Sequence, residues 1–170
     1  MQQVKNFRAD DYHVFSLDIH PSEPYVLSAC YETVKMWHWE MDWKRVRTFD
    51  VKARQVKFNP KDADYFACAT RNGVKVLNIA SSGSDDLTFT FGSSNVYHID
   101  YLSRGDELYL ITGNFDGSVE DGKVCVWNSS TFELEGKLNC GLGVVNAVAC
   151  LKGSNRIAIG GFKGLAITEI

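Results

Sequence analysis

No window of this 170-residue chain approaches the roughly 18 uncharged apolar residues of a membrane-crossing helix, so direct membrane insertion is not expected. The opening stretch MQQVKNFRADD has no apolar core of signal-peptide length, which points to a cytoplasmic protein. Basic residues form no stripe, and 18 Lys and Arg against 21 Asp and Glu give a net charge of −3, so nucleic acid is a poor partner. The cysteines are odd in number and contain no C-x-x-C pair. Cys30, Cys68, Cys125, Cys140 and Cys150 therefore read as small buried hydrophobes. His13, His20, His38 and His98 are too scattered for ligand spacing, and no metal is expected. The chain shows no Ser/His/Asp constellation and no carboxylate pair in a consistent setting. Its glycine-containing stretch 117–122 lacks the Lys-Ser/Thr and the helix of a phosphate loop, and no helix is predicted anywhere. Neither catalysis nor a cofactor is expected.

What the chain does have is a repeat. His20-Pro21 leads into the apolar run Tyr25 to Ala29, then a polar loop, then the alternating run Thr33 to His38 with Trp37 near its end. Two short strands joined by a turn make a hairpin. Asn59-Pro60 likewise precedes Tyr65 to Thr70 and Gly73 to Asn78. Glu107 to Thr112 pairs with Lys123 to Asn128, and Arg156 to Gly160 with Leu165 to Thr168. Taken as equivalent anchors, Trp37, Leu77, Trp127 and Ile167 lie 40, 50 and 40 positions apart. A period of about 40–45 residues belongs to the four-stranded blade of a WD-type β-propeller. The expected fold is all-β, a β-propeller of four WD-type blades near 8–50, 51–91, 92–138 and 139–170.

In the first blade, Val14 to Ile19 sets Phe15, Leu17 and Ile19 on one face and Ser16 and Asp18 on the other. Lys44 to Phe49 is its outer strand, with Lys44, Arg45 and Arg47 facing water to blunt the edge. Arg54–Phe58 and Leu87–Phe91 flank the second hairpin, and Val96–Leu102 and Glu133–Leu138 flank the third. The fourth blade opens with Val144–Leu151 and has no outer strand of its own, whereas Val4–Phe7 is an outer strand without a blade. The N-terminal strand is therefore expected to complete the last blade, with Val4, Phe7 and Ile167 as closure candidates.

The segment Tyr12 to Lys35, centred on HPSEPYVLS, resembles the WD-repeat propellers of the coatomer beta-prime kind. So do VKFNPKDADYFACAT (Val56 to Thr70) and YLSRGDELYLITGNFDG (Tyr101 to Gly117). The resemblance implies protein partners, coatomer-related subunits among them, and a Golgi or vesicle setting. Such propellers bind dilysine cargo tails through acidic residues for the lysines and basic ones for the terminal carboxylate. Family positions that carry an Asp before the first strand, an Arg at its start and an Asp in the turn are occupied by Tyr12, Phe15 and Tyr31. Only Asp116 retains the turn acid, so the blades are expected to depend more on apolar packing. The candidate partner-contact residues are Tyr12, Phe15, Tyr31, Arg54, Arg71, Phe115 and Asp116. The leading reading is a non-catalytic, self-associating interaction module, and the alternative is a receptor for dilysine-type tails.

Blades of this kind suit rings of roughly seven or eight. Four of them leave two apolar sheet faces bare, which a second copy covers through a two-fold axis. A homodimer forming an eight-bladed ring is expected, with a self-closed four-bladed monomer as the alternative, and Val4–Phe7 completing either its own last blade or its partner's.

Overall fold

The computed structural model describes residues 7–9, 13–80, 87–91, 95–115 and 122–170, with the side chains of 87–91 set aside. Among the described residues, fifteen strands form four antiparallel sheets in chain order. Blade 1 holds β1 (Val14–Ile19), β2 (Tyr25–Cys30), β3 (Val34–His38) and β4 (Lys44–Phe49). Blade 2 holds β5 (Gln55–Phe58), β6 (Tyr65–Thr70), β7 (Gly73–Asn78) and β8 (Leu87–Phe91). Blade 3 holds β9 (Asn95–Arg104), β10 (Glu107–Phe115), β11 (Lys123–Asn128) and β12 (Leu134–Asn139). Blade 4 has three strands among the described residues: β13 (Val145–Cys150), β14 (Arg156–Gly161) and β15 (Gly164–Glu169). The only helical turn described is a 3-10 turn at Trp39–Met41, where no helix was expected. It ends on the left-handed residues Asp42 and Trp43.

The second strands of blades 2 and 3 are apolar because neighbouring sheets cover both their faces. The core accordingly lies in the seams between blades. Leu27, Val34, Met36 and Phe49 of blade 1 pack on Val56, Phe58, Phe66 and Leu77 of blade 2. Ala67, Ala69, Val74 and Val76 meet Val96, Ile99 and Leu110 of blade 3. Tyr109, Ile111, Val124 and Val126 meet Val145, Val148, Ile157 and Ile159 of blade 4. Between the third and fourth strands the register shifts at Met36/Trp37, Val76/Leu77 and Val126/Trp127, the same place in three blades.

Among the described residues, the ends of the arc do not meet. Leu17 and Ile19 of β1 are 62% and 64% exposed, and Leu165 and Ile167 of β15 are 72% and 54% exposed. A self-closed ring of four blades would bury both faces, and this alternative is corrected. Val4 lies outside the described residues. Phe7 packs on blade 1, with ring centroids 5.1 Å from Trp37 and 5.9 Å from Trp43.

Two more expectations change. Strand pairing aligns Ala29↔Val34, Ala69↔Val74, Gly113↔Val124 and Gly160↔Leu165, so the anchor equivalent to Trp37, Leu77 and Trp127 is Thr168, not Ile167. A slip of one residue turns a side chain to the other face of its sheet, and Ile167 takes the position of Met36. Arg47 does not simply face water: its guanidinium lies 4.7 Å from the Phe49 ring and donates to the Ile79 carbonyl at 2.6 Å. Two blades carry a polar bond inside the sheet: the indole N–H of Trp37 donates to Ser28 Oγ at 2.9 Å and that of Trp127 to Thr112 Oγ1 at 3.2 Å. In blade 2 the paired positions are Leu77 and Cys68, an apolar replacement of both partners.

Candidate functional site

The first strand of each blade has two kinds of side chain, and both matter to the site. Its apolar residues turn back toward the preceding blade. Its polar residues turn forward and accept hydrogen bonds from the next blade's backbone. Ser16 Oγ accepts from the Val56 N–H at 3.4 Å and Asp18 Oδ2 from the Phe58 N–H at 2.7 Å. Gln55 Oε1 accepts from the Ile99 N–H at 2.6 Å. His98 Nδ1 accepts from the Val148 N–H at 3.2 Å and Asp100 Oδ2 from the Cys150 N–H at 2.8 Å. Lys57 also reaches Asp100 at 3.5 Å. A buried N–H left without an acceptor would cost about 1–3 kcal/mol, so these polar residues hold consecutive first strands in register. Burial, the largest cause in each case, pushes the Asp18 carboxyl up and holds the His98 imidazole below its ordinary value.

This register aligns Phe15, Arg54 and Tyr97 at one position of three successive first strands. All three line a cavity of about 830 Å³ across blades 1 to 3, together with Tyr31, the 50–55 link and the turn of Thr70, Arg71 and Asn72. The Arg54 guanidinium sits 4.2 Å from the Tyr97 ring centroid, and the Tyr97 and Phe115 rings are 6.1 Å apart. Tyr31 carries the Lys52 ammonium 6.0 Å from its ring centroid. Lys52 pairs with Glu32 at 2.5 Å, which holds its ammonium pKa above the usual value.

Four of the sequence candidates, Phe15, Tyr31, Arg54 and Arg71, therefore share one cavity, and Phe115 joins it through Tyr97. Tyr12 and Asp116 lie outside the described residues. Lys52, Lys75 and Tyr97 also line the cavity and were missed. Aligning the repeats on their first strands would have found Tyr97, two residues before Ile99 as Arg54 is two before Val56. The lining is cationic, with Lys52, Arg54, Arg71 and Lys75 against Asp50. A guanidinium stacked on an aromatic ring keeps its donor fork available for a carboxylate.

Cys30, Cys68 and Cys125 are buried and Cys140 and Cys150 partly so, all five as free thiols. Burial raises the pKa of Cys68, Cys125 and Cys140, and that of Cys150 to about 12, so none of these four is a poised nucleophile. Among the described residues no group of three or more His, Cys, Asp or Glu is placed to hold a metal ion. No helix among them is long and apolar enough to cross a membrane.

Four radially repeated antiparallel sheets with their core in the seams, and indole-to-hydroxyl bonds inside two of them, define the class. The chain folds as a WD40-type β-propeller, and the family described as "WD domain, G-beta repeat" matches residues 1–38. In sequence it resembles coatomer subunit beta' of Rattus norvegicus, at 31% identity over 176 residues. That match covers 79% of this chain and 19% of the relative, so the chain spans about a fifth of that protein's length. Among solved structures, the WD40 beta propeller domain of Doa1 overlays with a TM-score of 0.76 at 21% identity, covering 94% of this chain and 51% of that one. The computationally designed Ika4 protein overlays with a TM-score of 0.73 at 17% identity, covering 100% and 99%.

Proposed function

We propose that the chain is a non-catalytic protein-interaction module of the cytoplasm that binds acidic peptide segments at the cavity across blades 1 to 3. One observation carries the reading: four cationic side chains and one carboxylate line a cavity whose aromatic walls include Phe15, Tyr31 and Tyr97. Aromatic rings supply contact area at low entropy cost, and stacked guanidinium groups fix carboxylates in direction as well as charge. The likeness to coatomer subunit beta' supports a vesicle-coat setting with coat-related proteins as partners. Self-association belongs to the same reading and uses the bare faces of blades 1 and 4, the first of which adjoins the cavity at Phe15.

The alternative, a receptor for dilysine tails, would bring two ammonium groups to a lining that already holds Lys52, Arg54, Arg71 and Lys75. Like charges at that spacing repel. Fluorescence anisotropy with two labelled peptides, one ending in consecutive glutamates and one in the dilysine pattern, separates the readings. The acidic peptide should bind, weaken with added salt, and lose about tenfold or more in affinity on Arg54→Gln, as removal of a charged hydrogen bond implies. Tighter binding of the dilysine peptide would sink the proposal.

A further inference from the structure

The two bare faces of the arc repeat, residue by residue, the two sides of a seam the protein builds three times internally. On the side facing the next blade, Val34 and Met36, Val74 and Val76, and Val124 and Val126 are buried in blades 1, 2 and 3. Strand pairing puts Leu165 and Ile167 at the same positions of blade 4, where both are exposed. On the side facing the preceding blade, Val56, Ile99 and Val148 are buried in blades 2, 3 and 4, and the matching Leu17 of blade 1 is exposed. One end of the arc is thus the socket for the other.

We infer that the occupant of both faces is a second copy of this chain, so that two arcs join end to end around a two-fold axis in a closed eight-bladed ring. This deepens the self-association in the reading above by naming the partner and the seam. Three observations carry it. The faces are large, apolar and complementary, beyond the scattered apolar residues of an ordinary monomer surface. The arc overlays about half of a solved WD40 propeller, so a ring of that curvature needs about one more arc of the same span. Phe7 already lies against Trp37 at 5.1 Å, much as Phe49 of blade 1 lies against Phe66 of blade 2 at 4.9 Å. Phe7 therefore occupies the place of a residue on a preceding blade's outer strand. In the ring, the open edge of the partner's last sheet comes to that place.

The new seam differs from the internal ones in one respect. Where Ser16 and Asp18, Gln55, and His98 and Asp100 supply acceptors to the next blade, blade 4 has Ala147 and Ala149. With methyl groups in place of acceptors, the seam depends on apolar area, as permanent subunit interfaces do.

Charge reversal across the seam tests the inference. Leu17→Arg should leave that variant monomeric, and so should Ile167→Glu. Mixed in equal amounts, the two should recover the dimer. In the mixed ring one seam is wild type and the other pairs the new arginine with the new glutamate. Light scattering on each sample reads association alone, whatever the cavity binds. Twice 19.1 kDa for the wild type and the mixture, with 19.1 kDa for each variant, supports the ring. A wild-type mass of 19.1 kDa at micromolar concentration overturns it, and so does a mixture that stays monomeric.

Discussion

Between blades 1 and 2 the seam is filled by rings: Phe49 and Phe66 meet edge to face at 4.9 Å, Phe58 stands 6.3 Å from Phe66, and His20 lies 4.8 Å from Phe58. Between blades 3 and 4 the side chains are mostly Val and Ile, and the backbones come closer. A Cβ on Gly122 would lie 1.7 Å from the Gly143 carbonyl oxygen, and one on Gly113 would lie 2.6 Å from Val145 Cγ1. The two seams serve the same architecture with opposite distributions of volume. Large rings hold sheets apart and interlock, whereas glycines let sheets approach until small aliphatic chains fill the gap. Interiors pack to nearly constant density, so either route works, but each fails to a different kind of substitution.

The largest expected effect follows from that contrast. Gly122→Ala puts a methyl group into a backbone carbonyl, which no rotamer change relieves, and should cost about 5 kcal/mol or more, the range reserved for gross steric conflict. Urea denaturation followed by far-UV dichroism checks it. A cost below about 1 kcal/mol would mean that the blades sit farther apart than described. Second, Phe66→Ala should cost about 3–5 kcal/mol, because a fully buried ring leaves a cavity that Phe49 and Phe58 cannot close. Phe66→Leu should cost much less, and the same denaturation series ranks the two.

The smallest effect concerns the polar contacts of the two seams, which respond to acid in opposite directions. Burial holds the His98 imidazole below 6.5 in the folded chain, with Asp100 raising it and Lys57 lowering it, so the unfolded chain takes up the proton first. Stability tied to His98 is present above pH 6.5 and declines as pH falls toward the folded value. Asp18 is raised from 3.8, so its contribution is present below 3.8 and declines as pH rises through the higher folded value. His98→Gln should flatten the decline below pH 6.5, since Gln55 already accepts the corresponding N–H one blade earlier. Melting curves on either side of that pH measure the change, and an unaltered slope would remove His98 as its source.

Much of this was legible in the sequence. Val14–Ile19, Lys44–Phe49, Tyr65–Thr70, Gly73–Asn78 and Lys123–Asn128 are strands with the bounds that alternation and turn residues give them. β10 runs three residues past its expected end at Thr112, because Gly113-Asn114-Phe115 has the composition of a turn yet pairs with β9. Arg47 was read as solvated because its strand is charged, and alternation cannot show that a neighbouring blade offers a carbonyl. The polar contacts between first strands were invisible for a related reason. A polar residue every second position marks a face that is not apolar core, and says nothing of whether water or another strand's N–H meets it. The cavity was half legible: Phe15, Tyr31, Arg54 and Arg71 were singled out, but their convergence depends on the angle between blades, which no local pattern encodes.

Blades 2 and 3 each pack on two neighbours and blades 1 and 4 on one, and the consequence extends to how the chain comes apart. A linear array held by nearest-neighbour interfaces behaves like a row of coupled units, in which a middle unit has two stabilising neighbours and a terminal unit one. Opening should begin at blades 1 and 4 and move inward, so amide exchange in a lone arc would be slowest in β6 and β10, the central strands of the two inner blades. Joining the ends removes the distinction between terminal and inner units. Protection would then rise most in β2 and β14, far more than in strands already flanked on both sides. Closure of such an array converts a gradient of local stability into a nearly even one.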